Sequence, residues 1–262
     1  MKLKVGSDQV FATTGGIEFD PAKPAVIFLH GAGFDRTVWR LQTRWFANHG
    51  RSVLAVDFPA HGWSDGKPID SVAAMADWTA VLIDAAGLKS AALVGHSMGA
   101  LVALEVAARF PDKVRALGLC GVAAEMPVHP EMLESAKAGT LKVQELMTFW
   151  GMGNALHKGG MVTPGLWLRR ESLAVLARNK RGVIYNDLAA CNVYKEALAR
   201  AAQVKCPTVL ALGDCDLMTP AAKAKPLAAA IAGAATVVMP SCGHFMMVER
   251  PDETLDALKS CL

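Results

Sequence analysis

The sequence predicts an α/β fold in which a mostly parallel central sheet is flanked by helices. Short apolar or β-branched runs alternate with helical patterns over most of the 262 residues, and such alternation is typical of strand–helix–strand units. Hydrophobic residues make up 52% of the chain and charged residues 19%, so a large core is expected and long disordered stretches are excluded. A chain of this length accommodates one large domain or two small ones.

Six strands are expected in the parallel part of the sheet, because apolar or β-branched runs are bounded there by turn-forming residues. Residues 1–20 are expected to form an antiparallel pair that leads into this sheet. The six predicted strands are Val26–Leu29, Val53–Val56, Ala91–Val94, Val114–Cys120, Thr208–Leu212 and Ala235–Met239.

Helical patterns separate most of these strands, as parallel pairing requires. They cover Arg36–Asn48, Ser71–Ala86, Met98–Arg109 and Pro220–Ile231, and a last helix is expected from Pro251 to Leu262.

Residues 122–204 interrupt this alternation, because no clear strand occurs in them and they are too long to be a loop. We interpret them as a helical insertion, called the cap below, on a core domain formed by residues 1–121 and 205–262. The helical patterns of the cap are Glu131–Ala138, Leu141–Met152, Leu166–Arg178, Gly182–Asn192 and Tyr194–Ala201.

The charge balance argues against nucleic acid or an anionic membrane as the main partner. The chain carries 27 Lys and Arg against 24 Asp and Glu, a net charge of +3 without a basic run. Apolar segments are too short or too interrupted to span a bilayer, and the first residues lack the apolar core of a signal peptide. The six cysteines have no metal-ligand spacing, which favours reduced thiols and a cytoplasmic location. Whether copies of the chain form a homo-oligomer is left open.

Ser97 is the candidate nucleophile. It is the centre of Gly95-His96-Ser97-Met98-Gly99, a G-x-S-x-G pattern that follows a predicted strand and precedes a predicted helix. In that context the pattern is typical of a sharp turn that exposes the serine Oγ above a sheet. The N-terminus of the following helix adds partial positive charge beside the hydroxyl.

A serine nucleophile needs a base, and the chain order of such sites places an acid and then a histidine after the serine. His244 is the only histidine after the predicted cap, and it follows the last predicted strand. Two carboxylates, Asp214 and Asp216, follow the strand that ends at Leu212. The spacing of Asp216 from Pro220 favours Asp216 as the acid, and Asp214 remains the alternative, with a role in turn hydrogen bonds.

The oxyanion hole is expected at the glycine-rich turn after the first parallel strand, where backbone N–H groups can face a developing negative charge. Ala32 is the expected first donor, and Met98, directly after the nucleophile, is the second. His30 and His96 do not fit the triad order, so we expect each of them to brace its turn by hydrogen bonding.

The motifs FLHGAG, VDFPAHGWSDG, VGHSMGA, LGDCDLMTP and CGHFMMVERPDE occur in an order and spacing that resemble the α/β-hydrolase superfamily. The resemblance covers nearly the whole chain and implies a serine hydrolase core, a helical cap after the sixth strand and no cofactor. By position it implies Ser97 as nucleophile, Asp216 as acid and His244 as base. Ala60 departs from the family pattern, in which many relatives have glycine at that position.

The resulting hypothesis is a serine hydrolase that cleaves a carboxylic ester or thioester of a small to medium apolar molecule through an acyl-enzyme. Carbon–carbon bond or lactone hydrolysis with the same triad, and a non-catalytic receptor on this scaffold, remain as alternatives. About a third of the apolar cap side chains are expected to face the substrate, because ligand pockets are mostly apolar. These cap residues are Met126, Met132, Leu146, Met147, Phe149, Trp150, Met152, Met161 and Trp167.

Overall fold

The computed structural model describes residues 1–154 and 167–262 and contains one eight-stranded sheet of order β1-β2-β4-β3-β5-β6-β7-β8. β1 and β2 pair antiparallel, and β2 pairs antiparallel with β4. All pairs among β3 to β8 are parallel, which confirms the predicted fold class. The strands are β1 (Lys2–Val5), β2 (Asp8–Thr13), β3 (Ala25–Leu29), β4 (Ser52–Val56), β5 (Ala91–His96), β6 (Val114–Cys120), β7 (Thr208–Gly213) and β8 (Ala235–Met239).

Helices cover the sheet and also occupy the chain between β6 and β7. Two short 3₁₀ helices, Arg36–Trp39 and Pro111–Lys113, accompany the α-helices. Within residues 1–154 and 167–262, the α-helices with defined bounds are α1 (Arg40–Asn48), α2 (Val72–Ala85), α3 (Met98–Arg109), α4 (Pro130–Ala138), α5 (Lys142–Gly151), α6 (Leu168–Leu176), α7 (Val183–Val193), α8 (Ala197–Ala201), α9 (Ala221–Ala230), α10 (Met246–Glu249) and α11 (Pro251–Lys259).

The central strands are mostly apolar, as expected for parallel strands whose two faces are both covered by helices. Every residue of β3, β4, β5 and β7 is buried. In the parallel register, Leu29 lies opposite Gly95, and His96 lies opposite Cys120. The carboxyl ends of β3, β5 and β6 therefore meet beside Ser97, at the edge where ligands bind in open α/β sheets.

The cap region contributes α4 to α8, and none of its described residues forms a strand. Leu166, the expected first residue of one cap helix, lies outside the described residues. The division into core and cap stays a prediction. No helix in residues 1–154 and 167–262 is both long and apolar enough to cross a membrane.

One predicted helix divides in two. The pattern over residues 36–48 predicts a single helix, but the chain first forms the 3₁₀ turn and only then α1. The carboxylate of Asp35 accepts the Thr37 N–H at the start of this turn. A capping side chain of this kind satisfies a backbone donor and fixes where the helical segment begins.

Stability should depend strongly on packing in the central strands. Leu93 is fully buried in β5, whereas Leu198 in α8 is 46% exposed, so the same substitution can be compared at both positions. We expect Leu93→Ala to lower the free energy of unfolding by about 3 kcal/mol and Leu198→Ala to lower it by about 0.5 kcal/mol. Urea denaturation of both variants measures the difference. Equal losses would contradict the assignment of β5 to the core.

Candidate active site

Ser97 occupies a sharp turn between β5 and α3. Its backbone angles are φ 53° and ψ −116°, a left-handed conformation that is strained for a residue with a side chain. The Ser97 N–H donates to the carbonyl of Cys120 at 2.9 Å, which ties the turn to the neighbouring strand. The turn therefore holds the serine above the carboxyl edge of the sheet, where the sequence places the nucleophile.

Two glycines make this turn sterically feasible. A Cβ at Gly95 would collide with the Gly99 carbonyl, and a Cβ at Gly99 would collide with the Leu29 carbonyl. Real Cβ atoms are not found at such separations, so any other residue would force β5, α3 and β3 apart. Both glycines of the G-x-S-x-G pattern are thus required, because neighbouring backbone carbonyls lie too close to them for a side chain.

His244 and Asp216 form a buried pair on the loops after β8 and β7. The Nδ1 atom of His244 lies 2.7 Å from Oδ2 of Asp216, and their side chains are 2% and 0% exposed. An ionised carboxylate can only accept a hydrogen bond, so Nδ1 carries the proton in this contact. The Nε2 atom of His244 is then left to accept a proton.

The Asp216 carboxylate is held by a residue that the sequence analysis did not single out. Thr219 donates its N–H to Oδ1 at 2.8 Å and its hydroxyl to Oδ2 at 2.7 Å, and the Met218 N–H donates to Oδ1. Burial opposes ionisation of Asp216, but His244 and these donors outweigh burial and lower its pKa from 3.8 to about 2. The acid is therefore charged at neutral pH. A loop aspartate often accepts the backbone N–H two residues on, which was the available signal for the Met218 contact, whereas the Thr219 hydroxyl left none.

Asp214, the alternative acid, forms no hydrogen bond with His244 among the described residues. It is exposed, and its Oδ1 accepts the Cys242 N–H at 3.1 Å. It therefore performs the turn-bracing role considered for it in the sequence analysis, and Asp216 is the carboxylate in contact with His244.

Ser97 and His244 border one cavity, and residues from both the core and the cap line it. Within the described ranges, the Ser97 Oγ has no hydrogen-bond partner, so the serine–imidazole hydrogen bond is not formed in this structure. Catalytic hydrogen bonds are often long or misaligned in ligand-free structures. The arrangement brings the three predicted triad residues to one site, with the Asp216–His244 contact already made.

The two predicted oxyanion donors also lie at this site. Ala32 lines the cavity, and Met98 is the first residue of α3. A Cβ on the adjacent Gly31 would lie 3.2 Å from the Ser97 Cβ, so the two turns pack closely against each other. Neither the Ala32 N–H nor the Met98 N–H donates to another residue in the described part of the chain, which leaves both donors available to a substrate oxygen.

His30 braces its own turn, as expected, whereas His96 contacts the backbone of the His244 loop rather than its own turn. His30 accepts the Phe58 N–H on Nε2, and its Nδ1 faces the Gly31 carbonyl. The Nε2 atom of His96 lies 2.9 Å from the carbonyl oxygen of His244. Burial lowers the pKa of both imidazoles, that of His30 to about 4. Both rings are therefore neutral supports at neutral pH.

Glu249 fixes the loop that carries the base, and nothing in the sequence analysis singled it out. Its buried carboxylate accepts the N–H groups of Gly243 at 3.0 Å and Phe245 at 3.2 Å, on either side of His244. It also accepts the N–H of Gly153 in the cap at 3.0 Å. Burial raises the pKa of Glu249, and the three N–H donors oppose this shift. The histidine loop is thus tied to the end of α5.

The cavity has a volume of about 820 Å³, in the upper part of the usual range for ligand sites. Of the nine apolar cap side chains considered above, Leu146, Phe149, Met152 and Trp167 do not line it, and Met161 lies outside the described residues. Those that do line it are Met126, Met132, Met147 and Trp150.

Ala60, the departure from the family pattern, adopts φ 68°. Glycine reaches this left-handed region without a steric penalty, whereas alanine is strained there. The preference of many relatives for glycine at this position thus has a local backbone cause, away from the triad. In residues 1–154 and 167–262, no group of three or more His, Cys, Asp or Glu side chains could hold a metal ion.

Comparison with known proteins identifies the family of the chain. The family model described as "Alpha/beta hydrolase family" matches residues 26–257. The pimeloyl-[acyl-carrier protein] methyl ester esterase of Neisseria meningitidis is 31% identical over 237 residues, which cover 84% of this chain and 85% of that protein.

Two solved structures share the fold. The enol-lactonase of Burkholderia xenovorans superposes with a TM-score of 0.88 at 20% identity, covering 99% of this chain and 98% of that chain. An esterase of Exiguobacterium antarcticum gives a TM-score of 0.85 at 17% identity, with coverages of 99% and 97%.

The Asp216–His244 pair should make stability sensitive to acid. Because the pKa of Asp216 is lowered from 3.8 to about 2, the ionised carboxylate stabilises the fold above about pH 4, and this contribution is lost as the pH falls toward 2. The difference between these pKa values corresponds to about 2 kcal/mol.

We therefore expect the difference in the free energy of unfolding between the wild type and Asp216→Asn to shrink by about 2 kcal/mol as the pH falls from about 4 to about 2. Urea denaturation at stepwise lower pH measures this difference. Asp112→Asn is the control, because its carboxylate is exposed and forms no ion pair or side-chain hydrogen bond within the described residues. A difference for Asp216→Asn that stays constant with pH would contradict the expectation.

Proposed function

Because the chain belongs to the alpha/beta hydrolase family, we propose that it is a serine hydrolase that cleaves carboxylic esters, or thioesters, of apolar substrates. The observation that carries the proposal is the buried Asp216–His244 pair, whose imidazole borders the same cavity as the strained Ser97 turn. Such a constellation of nucleophile, base and orienting acid generates an alkoxide-like nucleophile from an otherwise unreactive hydroxyl.

In the proposed acylation step, the Nε2 atom of His244 takes the proton from Ser97 as its Oγ attacks the carbonyl carbon of the substrate. The carbonyl electrons move onto oxygen and form a tetrahedral intermediate. The N–H groups of Ala32 and Met98 stabilise this oxyanion more than the ground-state carbonyl, which lowers the barrier. Asp216 keeps the His244 proton on Nδ1 and stabilises the imidazolium that forms.

Collapse of the intermediate breaks the bond to the leaving oxygen or sulfur, which receives the proton from His244 Nε2. Water then enters, loses a proton to the same nitrogen and attacks the acyl carbon. The second intermediate releases the carboxylic acid and returns the proton to Ser97. No cofactor is required for these reaction steps.

We also propose that residues 122–204 act as a cap over a core formed by residues 1–121 and 205–262. Cap side chains from α4, α5 and the preceding segment supply much of the apolar cavity wall. Methionine is adaptable in shape, so a wall of this kind suits an apolar acyl or alcohol group of variable length. The carbonyl end of such a substrate would lie between Ser97 and the two N–H donors.

The thiol chemistry supports a reducing compartment, for which we propose the cytoplasm. All six cysteines are free, whereas proteins in oxidising compartments tend to pair their cysteines in disulfides.

Ester hydrolysis should be abolished by removal of the Ser97 hydroxyl. We expect the wild type to hydrolyse p-nitrophenyl esters from acetate to dodecanoate, and Ser97→Ala to lower kcat by about 10⁶-fold. Ser172→Ala is a matched control, because Ser172 is also buried but lies outside the main cavity. It should retain wild-type kcat.

A fluorophosphonate probe extends this test to substrates other than esters. Labelling of the wild type without ester turnover would favour lactones or carbon–carbon bonds as substrates, which a panel of lactones and diketones then separates. Absence of both labelling and turnover would contradict the hydrolase proposal and favour a receptor.

Chain-length preference should follow the cavity volume. Met132 on α4 is 3% exposed and lines the cavity, so Met132→Trp would fill part of it. We expect kcat/KM for the longest esters to fall about tenfold more than that for acetate, whereas the volume-conserving Met132→Leu should leave the profile unchanged. A uniform loss across all chain lengths would mean that the acyl chain does not occupy this part of the cavity.

A further inference from the structure

A buried carboxylate in the cap is bonded to the turn that carries a proposed oxyanion donor. Asp187 on α7 is 0% exposed, and its Oδ2 accepts the Gly33 N–H at 2.9 Å. The same oxygen lies 2.8 Å from Nε2 of His61. Asp187 is 154 residues from Gly33 in the sequence. The hydrogen bond nevertheless connects Asp187 to the residue that directly follows Ala32. It takes no part in the proton transfers described above.

Other cap groups hold the same turn, here called the oxyanion loop (residues 30–35). The Nδ2 atom of Asn179 donates to the Gly33 carbonyl at 2.5 Å, and Arg178 donates to Asp35 at 2.7 Å. A Cβ at Gly33, which has φ 69°, would touch Leu176 and Ile184 at about 3 Å. Both polar groups of Gly33 are therefore bonded to the cap, and its Cα packs against it.

The Gly33 N–H has a direct geometric link to Ala32. The peptide bond between Ala32 and Gly33 is planar, so an N–H that is fixed toward Asp187 also fixes the Ala32 carbonyl in the opposite direction. Only the two backbone torsions of Ala32 then separate that fixed plane from the Ala32 N–H. Rotation of this peptide would leave the Gly33 N–H unpaired in the protein interior, which is energetically costly.

The surroundings keep Asp187 charged. The Nδ1 atom of His61 faces the Pro59 carbonyl at 3.0 Å, and its Nε2 faces Asp187, so both ring nitrogens are matched to acceptors, as in an imidazolium. Burial opposes the charge on each partner, yet their mutual attraction raises the pKa of His61 and lowers that of Asp187. His30, whose ring centre is 4.8 Å from that of His61, is a neutral neighbour, whereas the carboxylates of Asp57 and Asp35 add negative charge nearby.

We propose that Asp187, paired with His61, is a positioning residue that holds the oxyanion loop so that the Ala32 N–H faces the reacting carbonyl. In this arrangement the cap does more than line the cavity, because one of its charged side chains organises the site that stabilises the transition state. The proposal rests on the proposed function of Ser97 and adds a residue that the triad motifs do not contain.

The test compares Asp187→Ala and Asp187→Asn with Tyr194→Phe. Tyr194 follows α7, and its hydroxyl donates to the buried Glu105 on α3, so its loss removes a cap–core hydrogen bond that does not involve the oxyanion loop. All variants are assayed well below their melting temperatures with p-nitrophenyl acetate. Backbone amide exchange of the peptide that contains residues 30–35 is measured by mass spectrometry in parallel.

We expect Asp187→Ala to lower kcat by about 10²-fold, with a much smaller change in KM, and to speed amide exchange in the oxyanion loop. Asp187→Asn should be intermediate, because the amide oxygen can still accept the Gly33 N–H but carries no charge for His61. Tyr194→Phe should keep wild-type kcat and wild-type exchange in the loop, whatever its effect on melting temperature.

Three results would overturn the proposal. These are unchanged exchange in the loop of Asp187→Ala, a kcat equal to that of Tyr194→Phe, or a rise in KM with kcat preserved, which would place Asp187 in substrate binding alone. If the wild type neither turns over esters nor reacts with a fluorophosphonate, the proposed function fails instead, and amide exchange alone decides whether Asp187 orders the loop.

Discussion

The approach of three backbone segments at Ser97 constrains the rest of the site. β5 turns into α3 so sharply that the Gly95, Gly99 and Leu29 backbones touch without room for a Cβ, and Ser97 itself is left in a left-handed conformation. Strain of this kind persists only when the surroundings overdetermine it, and here the fully buried β3 and β5 do so. The same approach places Ser97 beside the Gly31 turn and at the positive end of α3.

Polar support for the site comes mainly from groups that fix backbone rather than from groups that touch a substrate. Asp216 depends on Thr219, the His244 loop depends on Glu249, and the oxyanion loop is bonded to Asp187. Asp216, Glu249 and Asp187 are buried carboxylates whose oxygens accept N–H or O–H donors. Charge-assisted hydrogen bonds therefore offset the cost of their burial. A site organised in this way is largely formed before substrate binds, which is what electrostatic stabilisation of an oxyanion requires.

The sequence was sufficient for those features whose signal is local. Apolar runs located β3 to β8, and the glycines around Ser97 marked the turn because their steric role acts within a few residues. Spacing and the family resemblance favoured Asp216 over Asp214, but the contact of Asp216 with His244 depends on loop torsions that spacing does not determine. Asp187 and Glu249 left no pattern, since most of the donors that they accept are backbone N–H groups that any residue type except proline provides. Two of these donors, in Gly33 and Gly153, are also 154 and 96 residues away.

The bond between Glu249 and Gly153 has a consequence for how such proteins diverge. The His244 loop and the cap are both bonded to the Glu249 carboxylate, and the His244 N–H also donates to the Gly151 carbonyl at 2.6 Å. A chimera that combined this core with the helical segment of a relative would keep His244. It would replace the segment whose backbone groups contact the His244 loop and Glu249. Exchange of the whole helical segment would therefore alter two backbone contacts of the His244 loop, whereas point substitutions on the cavity wall would leave both in place.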